Sequence, residues 1–340
     1  MPALIAKPAP RDNTIHLVDA RARFRAIFQA VSRRYAQTKA SNWAVESALW
    51  VGEDEAPALQ PTVYLGAPRL DLHYVIITGL VADCLSHRVT PFHKERQCLH
   101  QLGFMSSVLT VNGRASSGYN AALIQQVLTS FPAAHRFVLL GYSKGAVDAL
   151  HALVTYPSIR QRTVAVVSLA GAIGGSPLVE ILPRWLKYLF ARLPLPDCHP
   201  GDGKALDSLA RVKRRQWLSE HVLPPELAYF SLVALPRPEQ VSRILRFNYR
   251  QLAKYNPKND SQVLAEDALI PGSELLGYVN ADHWALTLPL TKQWPFLRFF
   301  LNKNDYPREI LLESIVRYVE ERLLARIKAL DSSEDRANQA

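Results

Sequence analysis

Short apolar runs alternate with stretches of helical periodicity along most of the chain. The runs at 72–80 (LHYVIITGL), 104–111 (FMSSVLTV), 136–142 (RFVLLGY), 162–171 (RTVAVVSLAG), 226–235 (ELAYFSLVAL) and 274–281 (ELLGYVNA) are largely apolar on both alternating faces, as strands covered on both sides should be. Helical spacing fills the intervals at about 88–101, 118–130 and 144–156, and a long helix is expected from Pro307 to Leu330. Strand followed by helix, repeated, predicts an α/β domain built on an open, doubly wound, mainly parallel sheet.

The alternation fails from Gly174 to Pro225, where Pro, Trp, Leu and Arg are frequent and the next strand is delayed. A structureless loop of that length inside a domain is improbable. The segment is therefore expected to be an inserted helical lid, with helices over 178–193 and 205–222. The resulting domain map has an N-terminal extension over 1–60, a core formed by 61–173 and 226–330, the lid at 174–225, and a polar, disordered tail at 331–340.

Within the extension, Phe24, Ile27, Phe28, Val31 and Tyr35 recur at helical spacing over 19–37, while Arg21, Arg23, Arg25, Arg33 and Arg34 occupy much of the remainder. Two readings stand for this helix. It packs on the main domain with a solvated basic face, the ordinary fate of an amphipathic helix, or it makes peripheral contact with an anionic membrane. Net charge sharpens the second, because +10 over the whole chain favours anionic partners. No nucleic-acid module accompanies that charge, and no nucleic-acid partner is expected. No stretch approaches the length of a membrane span, and the first twenty residues lack the apolar core of a secretory signal. Three cysteines, Cys84, Cys98 and Cys198, are too sparse to suggest a disulfide framework, so a reducing compartment and a cytoplasmic location are expected.

The chemistry is concentrated after the strand at 136–142. Gly141-Tyr142-Ser143-Lys144-Gly145 lies between that strand and a helix, the setting in which a G-x-S-x-G turn exposes a serine nucleophile. The glycines two before and two after leave room for a sharp turn, and the following helix N-terminus favours developing negative charge. Random placement of residues in this composition produces the pattern roughly 0.04 times per chain. A serine nucleophile needs a histidine late in the chain, after the last strand. His283, in YVNADHWALTLP, is the one histidine beyond His221 and directly follows the run 274–281. Asn259-Asp260-Ser261 lies ahead of it, with Asp260 23 positions before His283.

By these two motifs and by strand and helix order over about 70–330, the sequence resembles the α/β-hydrolase superfamily, and within it the bacterial lipase-like and esterase-like members. The resemblance implies that fold and a triad in the order Ser, Asp or Glu, His: Ser143 as nucleophile, Asp260 as orienting acid, His283 as general base. Lipase-like relatives often carry N-D-G where this chain has Ser261, a departure at the residue beside the acid. Rival acids are Glu239, soon after the run 226–235, and Glu266 or Asp267; Asp282 adjoins the base and should point away. The oxyanion hole implied by the resemblance takes backbone N–H groups from Lys144 and from Leu80, which follows the family's glycine at Gly79. The Lys144 side chain is expected to be a solvated or ion-paired charge.

Other features carry little. Asp197, Cys198, His199 and Asp202 lack zinc-ligand spacing, GAIGGS at 171–176 lacks a dinucleotide pattern, and RVKRR at 211–215 reads as a solvated helix face. No metal and no cofactor are expected. In the lid, Trp185, Leu186, Leu189 and Phe190 are dense enough to line an acyl-chain pocket. The expected function is cleavage of a carboxylic ester, lipid-like or an acyl thioester, through an acyl-enzyme. An acyltransferase with the same triad is the alternative, and a non-catalytic membrane-surface module is a further one.

Overall fold

Seven strands, β1 (Val18–Asp19), β2 (His73–Ile77), β3 (Met105–Leu109), β4 (Phe137–Tyr142), β5 (Thr163–Leu169), β6 (Ala228–Ala234) and β7 (Glu274–Val279), form one sheet in the order β1-β7-β6-β5-β4-β2-β3. Every pairing is parallel. This is a computed structural model of the chain, and it describes residues 17–38, 47–56, 62–80, 82–85, 92–192, 198–199, 201–288, 300–301 and 306–338. Six strands coincide with the apolar runs. The seventh, β1, has both side chains exposed and joins the edge through its backbone, with Val18 N–H donating to the Ser273 carbonyl at 3.1 Å. The expected helix start at 88–91, the end of 178–193, Asp197 and parts of 1–60 lie outside the described residues.

Alternate side chains of the central strands enter different cores, as the two-residue period of a strand requires. Tyr74, Ile76, Val138 and Leu140 pack with Phe24, Ile27 and Phe28 of α1 (Arg21–Thr38) and with Ile315, Val316 and Val319 of α12 (Arg308–Asn338). Val75, Ile77, Leu139 and Val166 face Ile124 and Leu128 of α4 (Ser117–Ser130) and Leu150 and Leu153 of α5 (Lys144–Thr155). Each such side chain contributes about 1.5–3 kcal/mol of burial. The result is a sheet sandwiched between two helical layers. Helix α12 continues through 331–338, the stretch expected as a disordered tail.

Helix α1 buries the apolar stripe foreseen for it. Four of its five arginines are ion-paired: Arg21 with Asp19 and Asp54 at 2.9 and 3.0 Å, Arg23 with Glu321 at 2.6 Å, Arg25 with Glu55 at 2.7 Å, and Arg34 with Glu313, while Arg33 is exposed. Such pairs stabilise by little individually, but they cancel much of the local field that an anionic surface would feel. Among the described residues no helix is long and apolar enough to cross a membrane.

The described residues of 174–225 hold four helices where two were expected: α7 (Pro177–Ile181), α8 (Arg184–Arg192), α9 (Ala205–Ser208) and α10 (Arg211–Glu220). The first break falls at Leu182, which is extended (ψ 127°) as the residue before Pro183 must be. At the second, the Leu209 carbonyl leaves the helix to accept from Ser176 N–H at 2.9 Å. In α10 the reading of 211–215 as a solvated face holds for the exposed Val212, Lys213 and Arg215 but is corrected at Arg214, which is 2% exposed. Its Nε donates to the Ile173 carbonyl at 2.9 Å and its Nη1 lies 2.7 Å from His151 Nε2. Burial, and then Arg214 itself, hold the His151 pKa down to about 3, so the ring is a neutral acceptor. Trp217 stacks between His151 and His221, at centroid distances of 4.2 and 4.6 Å.

Cys84, in α2 (Ala82–Leu85), and Cys198 form a disulfide across 114 positions. Cysteines too sparse to suggest a disulfide framework thus include one bridge, and cysteine usage gives no argument for a reducing compartment. The site's location comes from topology. From β2 the chain moves outward to β3, then returns across β2 to β4 and continues to β7. The reversal lies between β2 and β4, the place where open α/β sheets form their binding crevice, beyond the carboxyl ends of the strands.

Candidate active site

Both loops that face this crevice carry candidate residues of the triad and the oxyanion hole. Ser143 follows β4 with φ 55° and ψ −124°, a conformation that costs a side-chain-bearing residue about 1–3 kcal/mol. The neighbours show why the turn is glycine-bound. A Cβ at Gly141 would overlap the Ala146 backbone, and one at Gly145 would strike the carbonyls of Ile77 and Thr78 at the end of β2. Helix α5 thereby returns close over the strand and lifts Ser143 to the crevice, where it is 8% exposed. Its backbone is fixed from both sides, with its N–H donating to the Leu169 carbonyl at 3.1 Å and its carbonyl accepting from Ala146 and Ala172 at 3.2 Å each.

His283 comes from the turn after β7 and Asp260 from the loop after α11 (Arg246–Ala253). His283 Nε2 lies 2.9 Å from Ser143 Oγ, and Nδ1 lies 2.6 Å from Asp260 Oδ2. With the proton on Nδ1 donated to the carboxylate, Nε2 is left as acceptor for the serine hydroxyl. The other carboxylate oxygen of Asp260 accepts from the Gln262 and Val263 N–H groups at 2.8 and 2.7 Å, and the Asp260 carbonyl accepts from His283 N–H at 3.0 Å. The acid is thus held by its own turn before it meets the ring. That turn requires φ 83° at Ser261, the region glycine favours, which accounts for glycine in related motifs. Here the Asn259 side chain supports the strained residue, its Oδ1 accepting from Ser261 N–H at 3.0 Å.

The rival acids lie elsewhere. Glu239 is exposed on the turn Pro238–Gln240. Glu266 and Asp267 pair with Arg211 at 3.2 and 2.9 Å. Asp282 points away from the ring, as expected: its Oδ2 accepts from the Ser242 N–H and hydroxyl at 2.8 and 2.6 Å, and its Oδ1 from Trp284 and Ala285 N–H at 3.1 and 2.9 Å. Burial raises its pKa. One supporting residue carried no sequence signal. Tyr142, an unconstrained position of the G-x-S-x-G pattern, donates its hydroxyl to the His283 carbonyl at 2.8 Å.

The Gly79-Leu80 loop passes directly over the serine, and a Cβ at Gly79 would lie 2.9 Å from Ser143 Cβ. Lys144 begins α5, so its N–H has no partner within the helix. Its side chain is buried and paired with Asp148. On α8, Trp185 and Leu189 are exposed and Leu186 and Phe190 half-buried, and no side chain of that helix is fully buried.

No family model and no curated protein matches the chain. Among solved structures, a metagenomic carboxyl esterase, MGS0156, shares 39% identity over 95% of this chain and 97% of its own, with a TM-score of 0.87. The chain belongs to the α/β-hydrolase superfamily. The mature Bacillus licheniformis lipase BlEst2, at 17% identity over 64% of this chain and 87% of its own and a TM-score of 0.50, shares the fold. In this α/β-hydrolase the serine, histidine and aspartate come together from three loops at one end of the sheet, in the order the resemblance implied.

Proposed function

We propose that this α/β-hydrolase is a serine esterase that cleaves a carboxylic ester through an acyl-enzyme. The reading is carried by the continuous contact from Ser143 Oγ through His283 to Asp260, at 2.9 and 2.6 Å, in a strained turn at the topological switch point. Its likeness to a carboxyl esterase at 39% identity supports the choice of an ester. Ser143 Oγ attacks the acyl carbon as its proton passes to His283 Nε2, and Asp260 stabilises the imidazolium and its tautomer. The oxyanion forms between the N–H groups of Lys144 and Leu80. Collapse expels the alcohol with the proton from Nε2. Water, deprotonated by the same nitrogen, then releases the carboxylic acid and restores the serine.

The 174–225 segment acts as a lid, and the half-open apolar face of α8 contacts the acyl chain; large exposed apolar groups of this kind mark binding surfaces. A fluorophosphonate probe should label the protein at Ser143, and p-nitrophenyl esters should be hydrolysed. Absence of both overturns the reading. In the same ester series, Trp185→Ala and Leu189→Ala should lower activity on octanoate relative to acetate by about tenfold, the scale of lost apolar substrate contacts. Equal losses on both esters would make the helix structural only.

A further inference from the structure

The two proposed oxyanion donors, Lys144 N–H and Leu80 N–H, sit in loops that are far apart in sequence, and transition-state stabilisation depends on their separation. A buried chain of polar groups connects them. Lys144 Nζ donates to both carboxylate oxygens of Asp148 at 2.7 and 2.8 Å, with both side chains fully buried. Asn120, also fully buried, donates from Nδ2 to Asp148 Oδ2 at 2.7 Å and to the Asn112 carbonyl at 3.0 Å. Its Oδ1 accepts from Asn112 N–H at 3.2 Å. The loop after β3, gripped in this way, holds the Leu80 loop on both flanks. Val111 N–H donates to Thr78 Oγ1 at 3.2 Å, and Gly113 N–H donates to Asp83 Oδ1 at 3.0 Å.

Stability alone does not explain such a chain. Desolvating a lysine and a carboxylate costs several kcal/mol per ion, and an apolar pair of similar volume often serves the fold as well or better. What an apolar pair lacks is direction. Each member here accepts or donates along fixed axes, and the chain runs from the residue after the nucleophile to the loop that crosses it. We infer that Lys144, Asp148 and Asn120 are positioning residues that set the separation of the two oxyanion donors. The inference rests on the serine-esterase reading, and none of the three side chains touches the reacting atoms; Lys144 meets the oxyanion through its backbone N–H alone.

Two variants cut the chain at different points. Asn120→Ala removes the link in the middle and leaves the Lys144–Asp148 pair intact; Thr78→Val removes the link at the Leu80 loop with little change of shape. Each should lower kcat by about 10- to 100-fold with KM within about twofold, the scale of a donor misplaced by roughly 1 Å. Affinity for a trifluoromethyl ketone, whose hemiketal with Ser143 carries its oxyanion in the same place, should fall by the same factor as kcat. A fold staple would lower the thermal midpoint and leave both quantities unchanged, and that result overturns the inference. If Asn120→Ala does not fold, Thr78→Val decides alone. Fluorophosphonate labelling of the unaltered protein separates the two levels. Without labelling at Ser143 the esterase reading itself fails, whereas normal labelling with kinetically silent variants removes only the positioning role.

Discussion

Ser143→Ala should abolish fluorophosphonate labelling and reduce kcat on p-nitrophenyl esters by about 10⁶, leaving only what substrate binding and the backbone donors supply. The fold should hardly register the change. The hydroxyl makes one hydrogen bond to His283, while the backbone bonds of Ser143 to Leu169, Ala146 and Ala172 do not involve the side chain. One such bond is worth about 1 kcal/mol, so the thermal midpoint should move by no more than about 2–4 °C. Ser143→Gly tests the strain directly. At φ 55° glycine is unstrained, so this variant should be inactive yet more stable than Ser143→Ala by about 1 kcal/mol. Turnover by Ser143→Ala well above background would remove the serine from the mechanism.

Asp260→Asn should lower kcat by up to about 10⁴ while Glu239→Gln stays near normal. In the aspartate, Oδ1 is engaged by the Gln262 and Val263 N–H groups, and only Oδ2 faces the ring. An asparagine keeps its oxygen on those two donors and turns its NH₂ toward His283 Nδ1. The ring must then carry its proton on Nε2, where it can no longer accept from Ser143 Oγ, and the imidazolium loses its counter-charge. Glu239, exposed on its turn, has no such coupling to the base. Circular dichroism of both variants, with assays near pH 8, separates lost chemistry from lost fold. A large loss at Glu239 with near-normal activity at Asp260 would reassign the acid.

The sheet was legible because a strand covered on both faces has to be apolar at nearly every position, and β2, β4 and β5 meet that demand. Strand β1 did not announce itself. It is two residues long with exposed side chains, and its hydrogen bonds belong to the backbone. Helix α11 escaped for a related reason: Phe247 is exposed and Leu252 buried on a helix with many polar residues, so no continuous apolar stripe marks it. Of the site, the serine and its histidine were readable from local turn chemistry and chain order. Ser261 looked like a departure from its motif, and its positive φ shows that the backbone requirement persists with another residue meeting it. Lys144, Asp148, Asn120 and Arg214 could not be read as interior groups. Burial of a polar residue is tolerable only when its partners are in place, and those partners are brought together by the sheet.

The disulfide divides the covalent chain in a way the folded surface hides. Residues 84–198 become a closed ring, and the chain beyond Cys198 is an open tail. Ser143 belongs to the ring; Asp260 and His283 belong to the tail. When the protein unfolds, the nucleophile and its turn stay within a loop of restricted size, an effect worth several kcal/mol in the chain-entropy account, whereas the acid and base are released to the full freedom of an open polymer. A single proteolytic cut inside the ring would leave both pieces in one molecule, joined until a thiol reductant separates them.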